Sequence, residues 1–447
     1  MKYLEHKAII IGGGFAGKLA CKALSPHVKH ITILESNSKP ADNDMQPFVP
    51  QAHHVHILLR QGLLTLEKLF PEISKKLVES GSIKYDILQD LKWYHYGGLK
   101  SPYPSNYFII QQTRTLLEHH IQNYIHDLKN VSYVDNVRVT KMLFDSKKTK
   151  LLGVGVKKRH SEEMEDYFAD IIIDASGNGA NIKKWITNIH IPVKEININL
   201  LYMSRFYEIN NENLPPWNGL LVSPIFPHST KGGVILKTEK KNQFIVTLSS
   251  YLTEEIPKKD EDYEKMAESL PQQDIIQFMR SANPVTKWKN YKINKQHCYQ
   301  FEKVDHLPRN LFVIGDSYSV FDPIFGQGMV VCALEAEALK TAFSKIDDIK
   351  NSSQYYYKAC AKIVKRAWDI SVAENSKLNS NVNKNNLSLK IRQWLNKNIF
   401  EISAYDPYVY LKLAQIMHMT HTPKEIISPR LVYKLVKHLC IKGKGKS

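Results

Sequence analysis

Ala8-Ile9-Ile10-Ile11-Gly12-Gly13-Gly14-Phe15-Ala16-Gly17 is the stretch from which the fold is read. Lys7 to Ile11 has the apolar run of a short buried strand, and the glycines make a turn. The residues through about Leu24 read as a helix, and Ile31-Thr32-Ile33-Leu34 as a second strand. Strand, glycine turn, helix and strand form a βαβ unit. Gly12, Gly14 and Gly17 fit G-x-G-x-x-G. The pattern allows a tight turn, a close approach of backbone to a pyrophosphate, and a helix packed hard on its strand. The helix N-terminus adds free amides and partial positive charge. Glu35 ends the second strand, where an acid can accept hydrogen bonds from the adenosine ribose hydroxyls and would repel a 2′-phosphate. FAD or NAD is expected at such a site rather than NADP.

A distant segment decides between those two. Leu311-Phe312-Val313-Ile314 reads as a buried strand, followed by Gly315-Asp316-Ser317-Tyr318-Ser319-Val320-Phe321-Asp322-Pro323-Ile324-Phe325-Gly326-Gln327-Gly328-Met329. Asp316 at a strand end can bind a ribityl hydroxyl. Gly326, Gln327, Gly328 and Met329 open a helix to about Ser344 whose amides would face a pyrophosphate and the N1–C2=O edge of a flavin. FAD is therefore the expected cofactor, held between the two glycine segments. Ile171-Ile172-Ile173-Asp174 is a further buried strand, running into Ala175-Ser176-Gly177-Asn178-Gly179.

These motifs resemble the FAD-dependent monooxygenases of the aromatic-hydroxylase and squalene-epoxidase type. The closest similarity is to a bacterial branch that includes polyether-pathway flavin epoxidases. The resemblance rests on the Gly315–Met329 segment, on Val49-Pro50-Gln51-Ala52-His53-His54-Val55-His56-Ile57-Leu58-Leu59 with Leu66 to Pro71, and on Ile173 to Gly179. It extends to Asp406-Pro407 and Pro429, and is weakest between about residues 200 and 300. It implies cofactor contacts from Arg114, Asp174 and Gly177 besides the residues above, with Gln51 beside the flavin ring. It also implies a flavin C4a-hydroperoxide as oxidant, NADH or NADPH (or a partner reductase) as electron donor, and O2 as co-substrate. Gln46 and Phe48 stand where the branch has Arg-x-Gly, Asn178 and Ala180 where it has Arg and Ser, and Ser317 where it has Ala.

The expected fold is α/β: a Rossmann-type FAD-binding domain of residues 1–198 and 302–345, an inserted β-sheet substrate domain of 199–301, and a helical C-terminal region of 346–447. Strands near Val131 to Val134, Val139 to Phe144 and Leu151 to Val156 read as a small antiparallel meander. Apolar spacing from His56 to Leu69 reads as a helix, and Val285 to Phe301 as a long strand. Pro423 and Pro429 are expected to break helix.

Composition narrows the function class. The 447 residues carry 61 Lys and Arg against 44 Asp and Glu, a net charge of +17, with 43% hydrophobic residues. No Arg cluster or recognised nucleic-acid module accompanies that charge, which makes nucleic acid an unfavoured partner. The five cysteines form no CxxC pair, so neither zinc nor a disulfide framework is indicated. No signal-peptide pattern precedes the first strand, and a cytoplasmic location is expected. His54 and His56 lack further metal ligands and read as structural or flavin-proximal. Trp-x-Trp-x-Ile-Pro, the mark of flavin halogenases, is absent, and so is a second complete G-x-G-x-x-G. No catalytic acid or base stands out, in keeping with a cofactor that carries the difficult chemistry.

Leu431 to Ile441 sets Leu431, Val432, Leu435 and Leu439 against Lys434, Lys437 and Lys442. Two readings stay open: a helix docked on the protein with a solvated Lys face, or peripheral membrane contact. The terminal Gly443-Lys444-Gly445-Lys446-Ser447 reads as a basic tail. The expected activity is hydroxylation or epoxidation of a hydrophobic organic substrate. The alternatives are an FAD-dependent dehydrogenase or reductase of isoprenoid-type substrates, an RNA-associated flavoprotein, and a non-catalytic flavin binder.

Overall fold

The structure is a computed structural model. It describes residues 3–38, 50–96, 98–159, 161–179, 182–186, 189–253, 255–378 and 387–444. Gln46, Phe48, Val49, Ala180 and the last three residues of the basic tail lie outside these, as do the side chains of Gln51, Gly443 and Lys444.

A parallel sheet forms the base of the molecule. Its five strands run in the order Leu311–Val313, Ile171–Asp174, Lys7–Ile11, His30–Leu34 and Val131–Val134. Continuous apolar runs such as Ile171-Ile172-Ile173 suit strands buried on both faces. The helices Phe15–Leu24 and Gln327–Lys345 pack on each other against this sheet. Val131–Val134 is thus the outer parallel strand and not part of a meander. Asn136, at φ +57°, turns the chain just beyond it. The antiparallel sheet that follows is built from Val137–Phe144, Leu151–Lys158 and Met164–Phe168.

A nine-stranded sheet carries the other half of the molecule. Its main path runs Ser319–Val320, Lys289–Tyr299, Val193–Glu208, Gln243–Tyr251, Lys231–Lys237, Gly219–Val222, Leu91–His95 and Gly98–Leu99. The expected block of 199–301 covers only its middle. Leu91–His95 pairs parallel to Gly219–Val222 and buries Leu91, Trp93 and His95, covering what would otherwise be an open edge. Ser319–Val320 closes the opposite side, so Gly315-Asp316 joins a strand of the parallel sheet, Leu311–Val313, to one of the large sheet.

The expected helix from His56 begins only at Arg60, because residues 55–57 line a cavity instead. The C-terminal region is helical: Ile349–Asn375, Leu387–Ile402, Pro407–Met417, Pro423–Ile426 and Pro429–Lys444. Pro423 and Pro429 each open a helix rather than break one, since a first-turn N–H needs no intrahelical partner. The first, Ile349–Asn375, packs on the parallel-sheet core through Tyr356, Cys360 and Val364, and the other four share a core with Trp93, Ile245 and Leu236. Lys100 is buried there, donating to Phe400 O at 2.6 Å and Ser403 Oγ at 2.7 Å. Burial pushes its ammonium down to about 7. Among the described residues, no helix is long and apolar enough to cross a membrane.

Candidate functional site

The three glycines of the first turn do three different things. Gly12 has φ +98°, and a Cβ there would stand 2.5 Å from Ala175 O. A Cβ on Gly17 would stand 1.9 Å from Gly12 O, so the helix can approach the strand end only without one. Gly17 lies behind the site and does not line it. Gly14 has no atom within 4 Å of where a Cβ would lie and faces an open cavity of about 1230 Å3. It also caps the helix Phe15–Leu24 with no side-chain partner, leaving first-turn amides available to a ligand. Phe15, Ala16 and Glu35 line the same cavity. Glu35 Oε2 accepts from Gly13 N at 2.7 Å and Oε1 from Asn37 N at 2.9 Å, tying the two loops after the strands together.

The late segment supplies the facing wall. Gly315 has φ +69°, and a Cβ on it would meet the Ala16 methyl at 2.7 Å. The two segments that the sequence separates by about three hundred residues are therefore in contact. Asp316, Gly326, Gln327, Gly328 and Met329 all line the cavity. Gly328 and Gly177 each have open space where a Cβ would lie. Gln327 is 1% exposed, yet neither Oε1 nor Nε2 of its amide has a hydrogen-bond partner among the described residues. A buried amide left so calls for a polar ligand. Open glycine faces, uncapped helix amides and this orphaned amide together fit an elongated dinucleotide.

Asp174 does not reach the cavity. It is fully buried, and its Oδ1 accepts from Ser176 N at 3.0 Å, Ser176 Oγ at 2.6 Å and Ser317 Oγ at 3.2 Å. Burial pushes its carboxyl up. Its position at the end of a buried strand makes it a brace for the Ala175–Gly179 turn. Ser317 completes that brace, because its Oγ accepts from Gly177 N at 2.9 Å. The departure from Ala at this position thus has a structural use.

Arg114 reaches the cavity beside the first helix. Its guanidinium lies 4.7 Å from the centre of the Phe15 ring, and Nε donates to Glu118 Oε1 at 2.6 Å. Lys18 Nζ, 1% exposed, donates to Glu118 Oε2 at 3.1 Å. Burial alone would raise the Glu118 carboxyl, but Arg114 and Lys18 outweigh it and hold it at about 2.

Several site residues went unassigned in the sequence. Asp322 is fully buried behind the Pro323–Phe325 turn. Tyr251 Oη and Asn375 Nδ2 each donate to its Oδ2 at 2.8 Å, so the large sheet and a C-terminal helix jointly hold the turn that leads into Gly326. Burial pushes Asp322 up to about 6. Glu335, also fully buried, accepts from Gly315 N at 2.8 Å and is pushed up to about 8 by burial. Asp322-Pro323 was a readable turn signal. Tyr251, Asn375 and Glu335 had no local signal.

The far end of the cavity is walled by the large sheet and the turn that follows its strand Ser319–Val320. Val222, Val234, Phe321 and Ile324 supply apolar surface, and Tyr202, Thr247 and Tyr291 supply hydroxyls. Among the described residues these sheet walls carry no charged side chain. His54 lies just outside. Its Nδ1 is 2.7 Å from Ser204 Oγ, which is 2.6 Å from Thr247 Oγ1. Burial, reinforced by the neighbouring His56 and His53, pushes His54 down to about 3, so it is neutral. His56 itself lines the cavity.

No protein-family model matches the chain. It is 23% identical over 353 residues to Protein Rv3254 of Mycobacterium tuberculosis, covering 76% of this chain and 73% of that protein. Among solved structures, it is similar to the flavin-dependent brominase Bmp2, with a TM-score of 0.68 and 13% identity over 98% of this chain and 99% of that one. The p-nitrophenol 4-monooxygenase PnpA of Pseudomonas putida DLL-E4 gives 0.65 and 14%, over 94% and 99%. PqsL of Pseudomonas aeruginosa, a probable FAD-dependent monooxygenase, gives 0.63 and 13%, over 83% and 98%. The chain thus shares its fold with flavin-dependent monooxygenases and halogenases.

Proposed function

We propose that this protein is an FAD-dependent monooxygenase that hydroxylates or epoxidises a hydrophobic organic substrate. The observation that carries the reading is the meeting of two glycine segments, Gly315 against Ala16, around one cavity. The pyrophosphate of FAD would lie on the amides after Gly14, with Phe15 and Ala16 beside it. Glu35 would take the adenosine ribose and Asp316 the ribityl chain. Gly326, Gln327, Gly328 and Met329, with Arg114, would hold the flavin end.

The cavity, about 1230 Å3, exceeds the range of roughly 300–1,000 Å3 common for single small ligands, so it has room for a second molecule. The uncharged sheet walls suit an apolar substrate, because an ion there would lose its hydration without a partner. Bound FAD supplies the reaction with O2. The protein's part is to hold the substrate beside it in a place shielded from water. The electron donor is a transiently bound NADH or NADPH, or a partner reductase.

Purified protein should be yellow and should consume O2 in step with formation of an oxygenated product when a nicotinamide donor is added. A colourless preparation that takes up no FAD would overturn the reading. Saturation of a double bond without O2 uptake would make the protein a reductase. The likeness to Bmp2 along nearly the whole chain makes halogenation the second reading, which a brominated product formed only in the presence of bromide would establish.

A further inference from the structure

The C-terminal helix Pro429–Lys444 is apolar on more sides than its docking needs. Leu431 is buried, Leu435 packs on the core formed with Trp93 and Phe400, and His438 and Lys442 bond Glu401 at 3.1 and 2.6 Å. That side fixes the helix to Leu387–Ile402. Facing outward, Val432 is 49% exposed, Tyr433 65%, Val436 53% and Ile441 61%. Cys440 and Lys437 are exposed among them. A helix with apolar residues on both sides has a second neighbour to meet.

The neighbouring helix Leu387–Ile402 repeats the pattern. Leu387, Ile391 and Trp394, spaced for one helix face, are 69%, 55% and 49% exposed.

Charge identifies the occupant. Residues 387–444 hold ten Lys and Arg against three Asp and Glu. Two of those three acids are engaged, Asp406 by Lys434 and Glu401 by Lys442. No acid occurs in the helix Pro429–Lys444 itself. A second copy of the chain would bring the same positive surface to the contact and be repelled. We infer that this face rests on an anionic lipid surface. Val432, Tyr433, Val436 and Ile441 would enter the headgroup boundary while Lys437 reaches the lipid phosphates. The lysines read in the sequence as a solvated face are divided in the structure: Lys434 and Lys442 pair within the protein, and Lys437 stays outward. The inference is independent of what fills the cavity.

The test is co-sedimentation of the full chain with vesicles of phosphatidylcholine alone and of phosphatidylcholine mixed equally with phosphatidylglycerol. The wild type should sediment with the mixed vesicles only, and less at high salt. Val432→Ser with Val436→Ser, and separately Lys437→Glu, should each weaken partition by about tenfold with unchanged melting temperature. Three results would overturn the inference. One is absence of binding to the mixed vesicles. Another is wild-type partition in both variants. The third is a wild-type dimer that the valine double variant turns into a monomer, which would make the face a self-interface.

Discussion

The guanidinium of Arg114 lies 4.7 Å from the centre of the Phe15 ring, holding the start of one helix against the glycine turn that opens another. Through Glu118 and Lys18 it belongs to a buried group with two cations and one anion. The charge count sets an order of effects. Arg114→Met leaves the Lys18–Glu118 pair intact and should cost about 1–2 kcal/mol of stability. Glu118→Gln leaves two cations facing each other, one of them 1% exposed, and should cost about 3 kcal/mol or more. Flavin retention should respond oppositely, because both residues line the cavity but it is Arg114 whose guanidinium covers the Phe15 ring at the glycine turn. Denaturant unfolding and bound-flavin absorbance of the two variants separate these effects; greater destabilisation by Arg114→Met would refute the assignment.

The first glycine turn makes a second prediction. Gly12→Ala and Gly17→Ala drive a methyl into backbone, at 2.5 Å from Ala175 O and 1.9 Å from Gly12 O. Both should lower the melting temperature sharply or prevent folding. Gly14→Ala meets nothing within 4 Å, so its methyl extends into the cavity. That variant should melt within a few degrees of wild type yet retain less flavin. A Gly14→Ala protein with full flavin content would show that the cofactor lies elsewhere.

The contrast among these glycines shows what was legible in the sequence. Strand, turn, helix and strand are local, and Gly12 to Glu35 carried the whole unit. The pairing with Gly315 is non-local, yet each half bore its own turn signal and both halves proved to border one cavity. The brace role of Asp174 was hidden, because a strand-end acid has the same local pattern whether it faces a ligand or braces a loop. Only the position of Ser317, brought in from far along the chain, decides which. Val131–Val134 misled: a short apolar strand does not announce whether its partner is the next strand or His30–Leu34. Tyr251, Asn375 and Glu335 were invisible because burial of a polar side chain is a property of the assembled sheets, not of its neighbours in sequence.

Ser317 gives the third prediction. Its hydroxyl serves both Asp174 Oδ1 and Gly177 N, and Asp174 Oδ2 already has no partner among the described residues. Ser317→Ala, although it matches the residue usual in the branch this chain resembles, should destabilise by about 1–2 kcal/mol, because the buried Asp174 and the half-buried Gly177 N each lose a bond. Ser317→Thr should retain most of the stability if its methyl is accommodated. The measurement is the urea midpoint at constant m-value; an Ala variant as stable as wild type would show that the brace contributes nothing.

Glu335 makes the last prediction, a pH dependence. Its folded-state carboxyl is pushed up by burial from an ordinary value of 4.5 to about 8. Between those values the folded chain holds a proton that the unfolded chain has released, so stability must fall as pH rises through that window. Lys100, pushed down to about 7, acts in the opposite sense above pH 7, where the unfolded chain holds the extra proton. The two effects overlap near pH 7–8 and can be separated only by substitution. Glu335→Gln keeps an acceptor for Gly315 N but cannot ionise. Its melting temperature should decline less than that of wild type between pH 6 and about 8.5. Lys100→Met should remove the opposing rise and make the wild-type decline steeper. If thermal unfolding of Glu335→Gln follows the wild-type pH profile, Glu335 does not carry the extra proton in the folded state.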